Sequence, residues 1–136
     1  MPELPEVETV KETLKRKVLK KRIIDVIVRY EGIIEYPSCN DFMKQIKNQT
    51  INDITRLGKW LIFCLDDYYL LSHLRMEGKY FLKDEISEIT KHEHVIFKFS
   101  DHTDLRYQDT RKFGKMLLVD KDKLQEARPM KELGLE

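Results

Sequence analysis

The first six residues, Met1-Pro2-Glu3-Leu4-Pro5-Glu6, hold the most reactive combination in the chain. With Met1 removed, Pro2 presents a free secondary amine, a nucleophile that forms a cationic iminium with a sugar aldehyde carbon. An α-amino group titrates near pH 8, so a useful fraction is unprotonated at neutral pH. Glu3 stands beside it and Glu6 lies one helical turn on. The same residues also describe an ordinary helix start, with proline in the first turn and glutamates facing the positive end of the dipole. Three polar clusters farther along interrupt apolar runs. In Arg56-Leu57-Gly58-Lys59-Trp60, Lys59 is either a strand-end charge or an ammonium aimed at a phosphate or a reacting sugar. In Ser72-His73-Leu74-Arg75-Met76-Glu77-Gly78, Met76 falls at or near the tip of a tight turn, a costly place unless it packs on something. In Asp109-Thr110-Arg111-Lys112-Phe113-Gly114-Lys115, Arg111 and Phe113 point the same way if the segment is extended. Phenylalanine beside cations suits a wedge between stacked bases, although a core phenylalanine in a solvated charge run fits too. His92 and His94 flank Glu93, but no third ligand has suitable spacing, and no metal site is expected.

Several elements must hold these groups. Leu4, Val7, Val10, Leu14 and Val18 recur at helical steps and predict an amphipathic helix over 3–19, which would carry Pro2 on a rigid support. Apolar and β-branched runs predict eight strands, at 23–30, 50–56, 59–65, 68–74, 79–83, 94–100, 105–107 and 115–119. The stretch 31–40 reads as a connection. Asp41 is a candidate cap for a short helix carrying Phe42, Met43 and Ile46, and a further short helix is expected over 121–128, stopped by Pro129. The expected fold is α+β: an eight-stranded β-sandwich flanked by an N-terminal helix and a second short helix, with all 136 residues in one domain.

Composition narrows the classes. No apolar run approaches the ~20 residues of a membrane span, and no signal-peptide core opens the chain, so a cytoplasmic protein without a membrane partner is expected. Cys39 and Cys64 are isolated, which suits thiols in a reducing compartment. The net charge of +1 demands no nucleic acid, but residues 11–22 carry seven basic side chains against one acidic. That strip is either a solvated helix face or a phosphate-binding surface. Besides an enzyme, a non-catalytic nucleic-acid-binding module and a purely structural sandwich are readings of the same residues.

Taken in order, the clusters resemble the N-terminal domain of bacterial formamidopyrimidine-DNA glycosylase. The resemblance is carried by Pro-Glu-Leu-Pro-Glu-Val-Glu-Thr-Val at 2–10, Arg-Leu-Gly-Lys-Trp-Leu at 56–61 and His-Leu-Arg-Met-Glu-Gly at 73–78. Lys-His-Glu-His-Val at 91–95 and Leu-Arg-Tyr-Gln-Asp-Thr-Arg-Lys-Phe-Gly at 105–114 complete it. Leu4, where the related endonuclease VIII branch usually has glycine, favours the oxidised-purine branch. The resemblance implies a bifunctional glycosylase and abasic-site lyase of base-excision repair, acting on damaged double-stranded DNA, with a monomer expected. It makes Pro2 the nucleophile, Glu3 the general acid/base, Lys59 a participant in base loss and elimination, and Glu6 a support for the terminus. It puts His73 and His92 near the DNA backbone and makes Met76, Arg111 and Phe113 the trio that fills the gap left by a flipped nucleotide. The family's helix–two-turn–helix and zinc finger have no counterpart in these residues. Zinc is therefore expected only in sequence beyond this chain, which itself needs no cofactor, and the piece alone is expected to be weakly active at most.

Overall fold

The computed structural model describes residues 4–122. Helix α1 is Leu4–Val18; it buries Val7, Leu14 and Val18 along one face, with Glu6 in its first turn and Lys15, Arg16 and Lys17 in its last. There follow β1 (Ile23–Val28), a single 3₁₀ turn (Glu31–Ile33), β2 (Ile34–Tyr36), helix α2 (Cys39–Ile46) and β3 (Asp53–Leu57). The rest is strand: β4 (Trp60–Cys64), β5 (Tyr68–His73), β6 (Lys79–Asp84), β7 (Glu93–Phe99), β8 (Thr103–Gln108) and β9 (Lys115–Asp120).

The strands form two sheets, ordered β1-β7-β8-β6 and β2-β9-β5-β4-β3. The expected sandwich with flanking helices is present, but with nine strands among the described residues instead of eight. The extra strand, β2, lies in the stretch read as a connection. It is only three residues long, too short to show an alternation, and it is fixed by parallel pairing to β9. Helix α2 is capped by Ser38, whose Oγ accepts from the Asp41 N–H at 3.2 Å, and not by Asp41. Asp41 lies three residues inside, where a carboxylate complements the dipole. The helix expected over 121–128 falls mostly outside the described residues.

Val95, Phe97, Leu105 and Tyr107 from one sheet meet Ile54, Leu61, Phe63, Leu70, Met116 and Leu118 from the other. Helix α1 lies against β3 and β4, and α2 against β1 and β2, so the helices close two sides of the sandwich. A second apolar cluster, Ile62, Leu71, Leu117 and Val119, occupies the opposite face of β4, β5 and β9. Burial on both faces explains why those strands read as unbroken apolar runs. On the other sheet, the fully buried Arg106 reaches the carbonyls of Ser87 (2.9 Å) and Glu88 (3.1 Å) and the carboxylates of Glu93 (3.1 Å) and Asp104 (3.0 Å). Burial pushes the Glu93 carboxyl up, but Lys83, the Thr90 N–H and Arg106 outweigh it and hold the group below its ordinary value. This network pins the 84–91 loop on its way back to His92.

Candidate nucleic-acid interface

Strand register brings the polar clusters to one end of the sandwich. Leu57 pairs with Trp60, Trp60 with His73, and His73 with Lys115. In the other sheet Gln108 pairs with both Lys79 and Glu93. The Gly58-Lys59 hairpin, the 74–78 turn, the 109–114 loop and His92 therefore share this end. Two ion pairs orient α1 toward it. Lys15 lies 3.4 Å from Asp53 and Glu8 lies 2.9 Å from Arg56. Seven helical residues and three strand residues each cover about 10 Å, so stepping back along α1 tracks β3 toward its hairpin. Three buried apolar side chains, at ~1.5–3 kcal/mol each, fix where the helix lies, and the weaker ion pairs mark its direction. The start of α1 thus faces the Lys59 end, with Glu6 exposed on its first turn. Pro2 and Glu3 lie outside the described residues.

Lys59 is half-buried in a two-residue hairpin whose Gly58 takes φ 58°, and Arg56 braces that turn by donating to the Gly58 carbonyl at 3.0 Å. His73, also half-buried, meets the Trp60 ring edge-on at 5.1 Å, and its Nδ1 accepts from the Arg75 N–H at 3.0 Å. Burial, aided by the charges of Arg75 and Lys59, lowers its pKa to about 4. The ring is therefore neutral at pH 7, with its proton on Nε2.

The next turn is closed by the Gly78 N–H donating to the Leu74 carbonyl at 2.9 Å, and Met76 stands at its tip, 53% exposed. Phe113, on the neighbouring loop, is also 53% exposed. A core role for Phe113 is thus excluded. Residues 109–114 are not an extended strand, so the common direction of Arg111 and Phe113 cannot come from a period of two. The loop is an arch in which Lys112 takes φ 61° and sets its ammonium 4.7 Å from the Tyr30 ring. Arg111 Nε lies 3.2 Å from the Glu77 carboxylate, joining this arch to the Met76 turn. His92 is half-buried, and its carbonyl accepts from the Asp109 N–H at 3.0 Å.

Sequence reasoning missed the support beneath the arch. Asp109 is buried and accepts from the Tyr107 hydroxyl (2.9 Å), the Gly114 N–H (2.8 Å) and the Lys112 N–H (3.2 Å). An aspartate shortly before a glycine is a turn signal that was there to be read. His94 is not poised for metal: its Nε2 contacts the Asp109 carbonyl at 2.7 Å. Cys39 and Cys64, on α2 and β4, are free thiols and do not fit a four-cysteine zinc site. Part of the basic strip is taken up within the fold. Lys11 pairs with Glu8 and Glu12, Lys15 with Asp53, and Lys21 with Asp101, while the strip itself runs away from the Lys59 end.

A sequence model of the formamidopyrimidine-DNA glycosylase N-terminal domain matches residues 1–116. The chain is 51% identical over its whole length to formamidopyrimidine-DNA glycosylases of Shouchella clausii (strain KSM-K16) and Enterococcus faecalis (strain ATCC 700802 / V583), covering 50% and 49% of those proteins. It therefore spans about half the length of these relatives. Among solved structures it is similar to Lactococcus lactis Fpg with FAPY-dG-containing DNA and with abasic-site-containing DNA. Each has a TM-score of 0.85 and 39% identity, covering 91% of this chain and 46% of that one. The ordered motifs, the sandwich and the clustering of the motifs at one end agree with these matches, and the chain belongs to the formamidopyrimidine-DNA glycosylase family, whose N-terminal domain it represents.

Proposed function

We propose that this chain is the catalytic N-terminal domain of a bifunctional DNA glycosylase and abasic-site lyase that excises oxidised purines from double-stranded DNA. The observation that carries the reading is the convergence, at one end of the sandwich, of the α1 start, Lys59, the Met76 turn and the Arg111–Phe113 arch. In this reading the Pro2 amine attacks the sugar carbon bearing the damaged base. The bond to the base breaks, and the base leaves with the electron pair and takes up a proton. The ring oxygen then leaves the same carbon with its bonding pair and takes up a proton, and the opened sugar is held as an iminium, which acidifies the neighbouring hydrogen and allows both flanking phosphates to be eliminated; water then hydrolyses the iminium and restores Pro2. Glu3 is the general acid/base, Glu6 supports the terminus, and Lys59 assists base loss and elimination. None of these steps needs a metal, and no cofactor is assigned to this domain. His73, neutral with its proton on Nε2, and His92 serve the DNA backbone. Met76, Arg111 and Phe113 fill the space of the flipped nucleotide, Arg111 facing the orphaned cytosine. The exposed Arg111–Glu77 pair is worth at most about 1 kcal/mol, so Arg111 is readily released to the base. The domain acts as a monomer. Two free thiols support placement in the reducing cytoplasm.

The test is borohydride trapping on duplex DNA containing an oxidised purine, using the full natural chain that carries this domain with Met1 removed. A trapped covalent adduct is expected, and Pro2→Gly should cut both excision and nicking strongly. Salt-dependent DNA binding without any adduct would instead identify a non-catalytic nucleic-acid-binding module.

A further inference from the structure

The arch at 109–114 carries Arg111 and Phe113 on a loop without strand pairing, yet a wedge must be stiff to hold bases apart. We propose that Asp109 is the positioning residue of this wedge, its buried carboxylate fixing the arch from below so that Arg111 and Phe113 project together toward the DNA. The inference rests on the function proposed above and concerns a residue that touches neither lesion nor phosphate.

Three observations support it. Asp109 is 1% exposed, and its two carboxylate oxygens hold the second half of the arch: Oδ1 accepts from the Lys112 N–H at 3.2 Å, and Oδ2 from the Gly114 N–H at 2.8 Å and from the Tyr107 hydroxyl on β8 at 2.9 Å. Burial above all raises the Tyr107 phenol well beyond its ordinary value, so it remains a donor. Its backbone is anchored independently, by the N–H to the His92 carbonyl at 3.0 Å and by the carbonyl to His94 Nε2 at 2.7 Å. A shift of register within β7 next to His94, between Glu93 and Val95, accompanies this contact. Finally, Gly114 leaves no room for slack: a Cβ there would overlap the Tyr107 hydroxyl and come 3.0 Å from Asp109 Oδ2. The carboxylate is needed as such. In an amide that keeps the Oδ2 contacts, the NH₂ would face the Lys112 N–H and leave that part-buried donor unpaired.

The chemistry predicts a selective defect. Opening stacked duplex needs the wedge, whereas a single-stranded abasic aldehyde has no stack to open. In the full natural chain, Asp109→Asn should slow single-turnover excision from lesion-containing duplex by roughly ten- to a hundredfold, the scale of a small misplacement. Borohydride trapping on the single-stranded abasic oligonucleotide should stay near the wild-type rate. Because Asp109 acts through Arg111 and Phe113, adding Asp109→Asn to the Arg111→Ala/Phe113→Ala variant should make it little worse. Tyr107→Phe, which keeps the carboxylate and both backbone bonds, provides a milder form of the same selective loss if Asp109→Asn folds poorly. Equal losses on both substrates, unchanged duplex excision, or an effect of Asp109→Asn undiminished in the Arg111→Ala/Phe113→Ala background would each overturn the assignment. A wild-type chain that processes neither substrate would overturn the proposed function, and this inference with it.

Discussion

The two ends of the sandwich are built from similar turns but set different side chains around them. At the far end the carboxylates are turned back onto the chain. Asp66 accepts from the Thr50 N–H and from Asn52 Nδ2, both at 2.9 Å, and Asp67 accepts from Gln49 Nε2 at 2.9 Å. Asp101 pairs with Lys21 and accepts from the Thr103 N–H at 3.1 Å; Lys21 above all lowers its pKa to about 2. At the Lys59 end, Met76 and Phe113 stay exposed, and Arg75 and Lys112 take φ 56° and 61°. That backbone suits glycine or asparagine, and a long side chain there costs about 1 kcal/mol. Positive-φ backbone is common to both ends, since Lys20, Asn48 and His102 at the far end take φ 70°, 67° and 69°. What sets the Lys59 end apart is that its exposed Met76 and Phe113 stand on turns joined by the Arg111–Glu77 ion pair. Substitutions at the two ends should therefore separate activity from stability.

The largest effect is expected at Phe113. Phe113→Ala should reduce excision from lesion-containing duplex by roughly ten- to a hundredfold, since unstacking costs a few kcal/mol. Its stability should stay within about 0.5 kcal/mol of wild type, as for other exposed positions. A loss of about 3–5 kcal/mol in denaturant titration, the signature of a buried phenylalanine, would erase the contrast between the ends. Gly114→Ala should instead cost stability as well as activity, by about 1–3 kcal/mol from overpacking against Tyr107. Adding Tyr107→Phe should restore part of that stability; no recovery would mean that the hydroxyl is not the obstacle. At the far end, Asp66→Ala should cost about 1 kcal/mol through its lost bonds and leave excision unchanged.

Periodicity made the α1 stripe and most strands readable, because apolar spacing reports burial directly. The edge strand β2 was not readable, since it owes its form to a distant partner, β9. Lys59, His73, Met76 and Phe113 could be picked out one by one as polar or apolar residues out of place, but their convergence depends on register between strands far apart in sequence. Asp109, Tyr30 and Glu77 were missed because each looks ordinary until its partners are in view. The basic strip was the opposite case, conspicuous in sequence but with Lys11, Lys15 and Lys21 taken up by carboxylates in the fold.

Acid sharpens the comparison further. The folded pKa of His73, about 4, lies below the ordinary 6.5, so as pH falls the unfolded chain binds that proton first. The stability associated with His73 is complete above pH 6.5 and is lost as pH falls toward 4. The stability from Asp101 is present above 3.8 and is lost as pH falls toward 2. The two ends thus titrate in separate windows. His73→Gln should flatten the upper window in a denaturant-midpoint titration and leave the lower one intact. A variant that changes only the lower window would refute the assignment.

The smallest effect concerns the salt dependence of DNA binding. Each phosphate contact contributes about 0.9 to the log–log slope of affinity against salt. A count from sequence would include the cations of the 11–22 strip. In the fold, Lys15 is held by Asp53, and the strip extends from the Lys59 end toward the end where Asp101 holds Lys21. Lys112, by contrast, rests on the face of Tyr30 at the Lys59 end, beside Arg111. Lys112→Gln should therefore lower the slope by about one contact, and Lys15→Gln should leave it unchanged. Fluorescence-anisotropy titrations of a short duplex across a range of salt concentrations measure both slopes. Equal drops for the two variants would mean that DNA lies along α1 and not across the loop end, and the functional contrast between the two ends would fail with it.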